Sequence, residues 1–175
     1  MARPRLIVTA GLPGSGKSTL AKGLVQALQI PVLSIDPIEA AMWRADIPKE
    51  MTGIAAYQMA EAIAEENLKL GLSVIVDAVN PVEAARTMWV QLAERTDATL
   101  TFVECHCSDH AIHRERIENR RRNISGMAEI SWERVEERRN EYEPWLHDRI
   151  SLDTAHNTTE QLVQRVLEAF QQTQQ

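Results

Sequence analysis

The residues best suited to chemistry are Gly11-Leu12-Pro13-Gly14-Ser15-Gly16-Lys17-Ser18-Thr19, which fit the spacing G-x-x-x-x-G-K-[ST] without a mismatch. Glycines at such a spacing remove side chains and permit positive φ, so successive backbone N–H groups can point at the oxygens of a polyphosphate. Lys17 adds a charge aimed at the β- and γ-phosphates, and Ser18 offers a hydroxyl to Mg²⁺. The start of the following helix adds its own partial positive charge. The apolar run Leu6-Ile7-Val8 precedes the motif and an amphipathic segment follows it, which is the strand–loop–helix setting of a phosphate-binding loop (P-loop). Gly11, Pro13, Gly14, Ser15, Gly16, Lys17, Ser18 and Thr19 are therefore expected to hold the phosphates of a nucleotide. Lys17 is expected to take part in its chemistry, and Ser18 to hold the metal.

A phosphate cradle binds a nucleotide without deciding its fate. Transfer of a phosphoryl group needs an oriented nucleophile, a bridging cation and positive groups for the charge that develops. Asp36, after Val32-Leu33-Ser34-Ile35, can accept the proton of an attacking hydroxyl. Its setting Asp36-Pro37-Ile38-Glu39 is also ordinary helix-start grammar. Asp77 closes Val74-Ile75-Val76 in the manner of a Walker B acid and is expected to hold Mg²⁺, directly or through water. Arg114, Arg116, Arg120, Arg121 and Arg122 form the densest basic cluster. On a continuous helix Arg116 and Arg120 would share a face and point together at the phosphates, with Gly126 loosening a lid over 114–130. Cys105, Cys107, His110 and His113 could supply a tetrahedral zinc set, but two cysteines two apart on a strand read first as a small core pair. Trp43, Tyr57, Met59 and Trp89 are candidates for lining an acceptor pocket, with Trp43 preferred.

The elements that must position these residues follow from periodicity. Short apolar runs predict strands over Leu6–Ala10, Val32–Ile35, Ser73–Asp77, Thr99–Cys105 and Arg149–Leu152. Between them lie amphipathic segments: Ser18–Gln29, a helix opened by Asp36, another over Ile54–Leu70, and one capped by Asn80 and running to about Glu94. A basic helix capped by Ser108 is expected to reach about Arg122, and Asn123–Ile130 to form a loop. Ser131 caps the next helix, and Asn157-Thr158-Thr159-Glu160 opens the last, before a polar tail at Gln171–Gln175. Strands alternating with helices call for an α/β three-layer sandwich with a five-stranded parallel sheet, ligands binding beyond the carboxyl ends of the strands.

The chain has 175 residues, of which 44% are hydrophobic and 25% charged, and is read as one domain, 1–175. No apolar run approaches the roughly 20 residues of a spanning helix. The start Met1-Ala2-Arg3-Pro4-Arg5 leads into the phosphate loop without a cleavage-site pattern, and cysteine is sparse, so a cytoplasmic setting is expected. A net charge of −6 disfavours extended nucleic acid as a partner.

The P-loop, the segment Ser34-Ile35-Asp36-Pro37-Ile38-Glu39-Ala40, the run Gly71-x-x-Val74-Ile75-Val76-Asp77, the basic stretch into Ser125-Gly126-Met127-Ala128, and Leu152-Asp153-Thr154-Ala155-His156 together resemble the P-loop small-molecule kinases. The likeness is nearest to the chloramphenicol phosphotransferase-like branch and the ATP-dependent kinases beside it. It implies the strand order 2-3-1-4-5 with a helical lid, and transfer of the ATP γ-phosphate to a hydroxyl with Asp36 as base. It also implies Arg116 and Arg120 as lid arginines and Asp153 and Thr154 beside the adenine. The stretch from Trp43 to Gln58 departs from the chloramphenicol enzymes, and Ala78-Val79-Asn80 brings no second acid after Asp77.

The expected function is thus an ATP- and Mg²⁺-dependent phosphotransferase acting on a small hydroxylated acceptor. A kinase of sugar nucleotides or of 5′-hydroxyl nucleic-acid ends is a variant of it. A nucleotide-binding regulatory module would use the P-loop without needing Asp36, and an NTPase that transfers to water would turn over with no acceptor accelerating it.

Overall fold

A computed structural model describes residues 3–172; Met1, Ala2 and the last three residues of the expected polar tail, 173–175, lie outside the described residues. The sheet is parallel, with the order β2-β3-β1-β4-β5. Strand β1 (Arg5–Ala10) lies at its centre between β3 (Val74–Asp77) and β4 (Thr99–His106), with Ile7 facing Ile75 on one side and Thr101 on the other. Strand β2 (Val32–Ser34) pairs outside β3, and β5 (Ile150–Asp153) outside β4.

Because side chains alternate along a strand, each central strand feeds two cores. Leu6, Val8, Val74, Val76 and Phe102 pack beneath three helices, α2 (Ile35–Arg44), α3 (Lys49–Lys69) and α4 (Glu83–Thr96). Ile7, Ile75, Val103 and Leu152 pack beneath α1 (Lys17–Leu28) and α7 (Thr159–Gln172). In α7, Leu162, Val166 and Phe170 recur at helical spacing and are buried, worth about 1.5–3 kcal/mol each in apolar transfer. In α3, Ala56, Ala60 and Ala64 form a stripe of fully buried small residues that lets the helix lie close on its neighbours. Two shorter helices, α5 (His110–Glu118) and α6 (Trp132–Asn140), cover the P-loop side through Leu12, Ile117, Trp132 and Val135.

Several helix starts differ from the expected caps. Asp36 is not a cap; α2 opens at Ser34, which makes no side-chain cap bond, and Asp36 sits inside the first turn. Asn80 does not cap α4: with φ at 48° it turns inward, donating to the Thr9 carbonyl at 2.7 Å and accepting from the Trp89 indole at 2.8 Å. Ser108 is drawn away by Asp153, and Asp109 caps α5 instead, accepting from the N–H groups of Ala111 and Ile112. Ser131 caps α6 as expected. The reciprocal box of α7 is Thr158 with Gln161.

Candidate active site

The P-loop leaves β1 at Gly11, whose φ is +128°; a Cβ there would lie 2.0 Å from the Cys105 carbonyl, so no other residue fits. Gly14, at φ +78°, presses against Ile117 of α5, where a Cβ would fall 2.6 Å from its side chain. The loop is held from behind. His113 donates from Nε2 to the Pro13 carbonyl at 2.8 Å and accepts at Nδ1 from Arg139 at 3.3 Å. Thr154 donates to the Ser15 carbonyl at 2.9 Å. The backbone N–H groups of Gly16, Lys17, Ser18 and Thr19 find no acceptor among the described residues, so four donors converge at the start of α1. Side-chain-free glycines and converging unpaired N–H groups fit a polyphosphate.

Lys17 is 7% exposed, and its ammonium donates to the Leu12 carbonyl at 3.0 Å. Burial holds it below the ordinary lysine value, against the opposing pull of Asp77 and Asp36. Asp77 accepts from Thr9 Oγ1 at 3.2 Å and Ser34 Oγ at 3.4 Å, leaving lone pairs open towards Ser18 in the cavity both line. That oxygen set suits a hard divalent cation completed by water and phosphate.

Two cavities open from the loop. The larger, about 670 Å³, is lined by Gly14, Gly16, Lys17, Ser18, Thr19 and Arg116 on the P-loop side and by Thr154 and Asn157 at the far end. The smaller, about 260 Å³, is lined by Pro13, Glu39, Trp43, Met127, Arg134 and Arg138. Lys17, Ser18, Asp36, Asp77, Arg120 and Arg122 line both, and so form the mouth where the cavities meet. Of the expected residues, Ser15 does not reach this mouth. It faces a third pocket behind the loop with Gly11, Cys105 and Cys107, and its buried Oγ has no partner among the described residues.

The basic segment differs most from expectation. Helix α5 stops at Glu118, and Arg120 donates its N–H to the Ile117 carbonyl to close the last turn. Arg116 and Arg120 therefore do not share a helix face. Arg116 is engaged by Thr154, donating to its hydroxyl at 2.8 Å and its carbonyl at 2.7 Å. Arg120 is largely withdrawn from water, and burial lowers its pKa first, with Arg122 adding and Asp36 and Glu129 opposing. Segment 119–131 is irregular and is tied down by Arg122, which donates to the Glu129 carboxylate from its backbone N–H (2.7 Å) and Nε (3.0 Å) and to Asp36 Oδ2 at 2.6 Å. Arg44 of α2 holds the same segment through the Ser125 carbonyl at 2.5 Å.

Of the expected acceptor-pocket residues, Trp43 lines the smaller cavity. Trp89 is wholly buried, Met59 is exposed, and Tyr57 accepts from the Asn80 N–H at 3.1 Å. Cys105 and Cys107 are buried and free, and no group of three metal-ligating side chains occurs among the described residues. Sequence reasoning missed Glu39, Arg134 and Arg138. Glu39 lies one turn after Asp36, so helical spacing could have found it; the two arginines come from a helix a hundred residues away in sequence.

No helix of the described residues is long and apolar enough to cross a membrane. No curated protein sequence matches the chain. Among solved structures, a putative kinase from Chloroflexus aurantiacus J-10-fl superposes with a TM-score of 0.79 at 24% identity, covering 98% of each chain. The APS kinase CysC of Mycobacterium tuberculosis, in complex with AMPPNP and APS, gives 0.73 at 18% identity over 98% of this chain and 99% of that one. Kti12 of Chaetomium thermophilum, in complex with ADP-AlF3, gives 0.67 at 20% identity over 94% and 98%. At these identities the likeness establishes the fold, a P-loop kinase-like α/β fold. Residues 6–145 match the family model described as AAA domain, and since that span is most of the chain, the protein belongs to this P-loop kinase-like family.

Proposed function

We propose that the protein moves the γ-phosphoryl group of Mg·ATP to a hydroxyl of a small acceptor, with Asp36 accepting the hydroxyl proton. The observation that carries this reading is the pair of cavities meeting at one mouth: a switch or a hydrolase needs the phosphate chamber but not a second chamber opening on the same lysine and carboxylates. A cavity of about 260 Å³ is at the small end of ligand sites, so the acceptor is small.

In this reading the N–H groups of Gly16 to Thr19 and the Lys17 ammonium hold the phosphates, and Ser18 and Asp77 would hold Mg²⁺, directly or through water. When bound, such an ion would offset the negative charge of the phosphates. Asp36, whose side chain is 42% exposed, holds the acceptor hydroxyl in line and takes its proton. Arg122 must first release that carboxylate, and a guanidinium turning from Asp36 to the phosphates does both tasks. Arg120 stabilises the transferred group, while Arg116, spent on Thr154, braces the nucleotide end. The segment 119–131 closes over the site as a lid. Free cysteines and dependence on ATP fit the cytoplasm.

The test is ADP formation with Mg·ATP across a panel of hydroxylated acceptors, beside Asp36→Asn. One acceptor should raise turnover manyfold. The variant should lose about 10²- to 10⁴-fold in kcat with little change in KM for ATP. Turnover that no acceptor accelerates and that the variant retains would overturn the reading in favour of a nucleotide state read by a partner protein.

A further inference from the structure

The smaller cavity separates its charges by element. Helix α2 contributes the carboxylates of Asp36 and Glu39 and the ring of Trp43, and α6 contributes Arg134 and Arg138. Their states differ. Asp36 is held by Arg122, and Arg134 is spent on Glu137 at 2.7 Å and Glu141 at 3.3 Å. Arg138 is half-buried and has no hydrogen bond or carboxylate partner among the described residues. Each of the other cations lining the cavity has an acceptor or a carboxylate: Lys17 the Leu12 carbonyl, Arg120 and Arg122 the carboxylate of Glu129. A half-buried guanidinium left unpaired in a concave site is a ready fork for a carboxylate, phosphate or sulfate group.

Glu39 is built in the opposite sense. The Trp43 indole donates to the hydroxyl of fully buried Thr52 at 2.8 Å, and Thr52 donates to Glu39 Oε1 at 2.9 Å. The other carboxylate oxygen, Oε2, accepts from no described group. An oriented carboxylate one helical turn from Asp36 accepts hydroxyl protons and repels anions.

We infer that the acceptor is a small polyhydroxylated anion, its negative group on Arg138 and its hydroxyls beside Asp36 and Glu39. The inference rests on the phosphotransferase reading above and adds the substrate class. Carboxylate, phosphate and sulfate share the chemistry that Arg138 selects, and the test separates them.

The test uses the full chain with Mg·ATP and matched acceptors: neutral aldoses and alditols, the corresponding aldonates, and their phosphate and sulfate monoesters. Each is assayed with wild type and with Arg138→Gln, which removes the charge and the guanidinium fork while keeping a half-exposed side chain polar. Anionic members of one subclass should exceed their neutral partners by at least about tenfold in kcat/KM. Arg138→Gln should raise KM for that anion about 10- to 100-fold, leaving KM for ATP and the melting temperature unchanged. Glu39→Gln should lower kcat/KM for every member, the neutral ones included. If a neutral acceptor is phosphorylated as well as its anionic partner, or if Arg138→Gln leaves the KM for the anion unchanged, the kinase reading stands and the anionic acceptor is wrong. If no acceptor of either kind raises ADP formation, both fall.

Discussion

On the proposed reading, Lys17 is a single residue that is costly to the folded protein and necessary to its ligand. Its ammonium is almost wholly out of water, and its one hydrogen-bond partner among the described residues is a carbonyl at 3.0 Å, a weak return for a desolvated charge. Phosphate oxygens at the mouth would supply what the protein withholds. Lys17→Met keeps the length of the side chain and removes the charge. The variant should therefore melt at the same temperature as the ATP-free wild type or higher, while its affinity for Mg·ATP falls about 10- to 100-fold. Thermal unfolding with and without nucleotide reads both: the wild type gains melting temperature on adding Mg·ATP and the variant does not. A variant that binds ATP within about threefold of wild type would remove Lys17 from the phosphate site. This part of the site was legible in the sequence because the chemistry is contiguous. Gly11 to Thr19 carry their proposed roles within nine positions, whereas the partners of Asp36 and Asp77 arrive from segments that no local pattern connects.

At the scale of elements, local grammar found the pieces and misjudged their joints. The five strands were legible as apolar runs, but capping preference assigned Asp36, Asn80 and Ser108 to roles that tertiary partners override. The same limit hid the end of α5, since helix periodicity continues past Glu118 while Glu129 pulls Arg122 out of it. Helix α5 acts on the P-loop through His113, a contact absent from any motif. Burial pushes the His113 imidazole below its ordinary value of 6.5, with Arg139 and Arg116 adding to that and the Pro13 carbonyl and Glu136 opposing it. Its neutral form is the one the fold accepts, because Nδ1 takes a hydrogen bond from Arg139. The unfolded chain therefore binds the extra proton first as pH falls, and the stability contributed by His113 is present above 6.5 and lost below it, down to the lowered folded value. His113→Gln can still donate to Pro13 and cannot titrate. Across pH 5.5 to 7.5 the wild type should lose melting temperature towards acid more steeply than the variant. Parallel curves would show that this imidazole does not set the acid sensitivity.

At the scale of the molecule, the two halves of the site must be held in register although they lie far apart in the chain. The sequence resemblance anticipated the strand order 2-3-1-4-5, which sets β3 beside the P-loop strand and β2 beyond it, but not how α6 is fixed against β3. Arg86 does this. It is fully buried on α4 and donates to the carbonyls of Asn80 (3.1 Å) and Pro81 (3.2 Å) after β3, and to those of Glu143 (2.9 Å) and Pro144 (2.8 Å) after α6. The rings of Tyr142 and Trp145 lie over its guanidinium at 5.1 and 4.0 Å. One side chain thus joins the segment leaving Asp77 to the segment leaving Arg138, and only a planar fork can serve four carbonyls at once. Arg86→Lys leaves a buried ammonium with too few donors, and Arg86→Met strands the carbonyls of Asn80, Glu143 and Pro144. Each should cost about 3–5 kcal/mol. In a chain of this size that lowers the melting temperature by about 6–20 °C. Chemical denaturation with the slope held common to wild type and both variants measures the loss directly. A cost below about 1 kcal/mol in both would mean that the loops keep their register without Arg86. The expected loss, with kcat/KM for the acceptor falling further than that for ATP, would locate its effect between the two cavities.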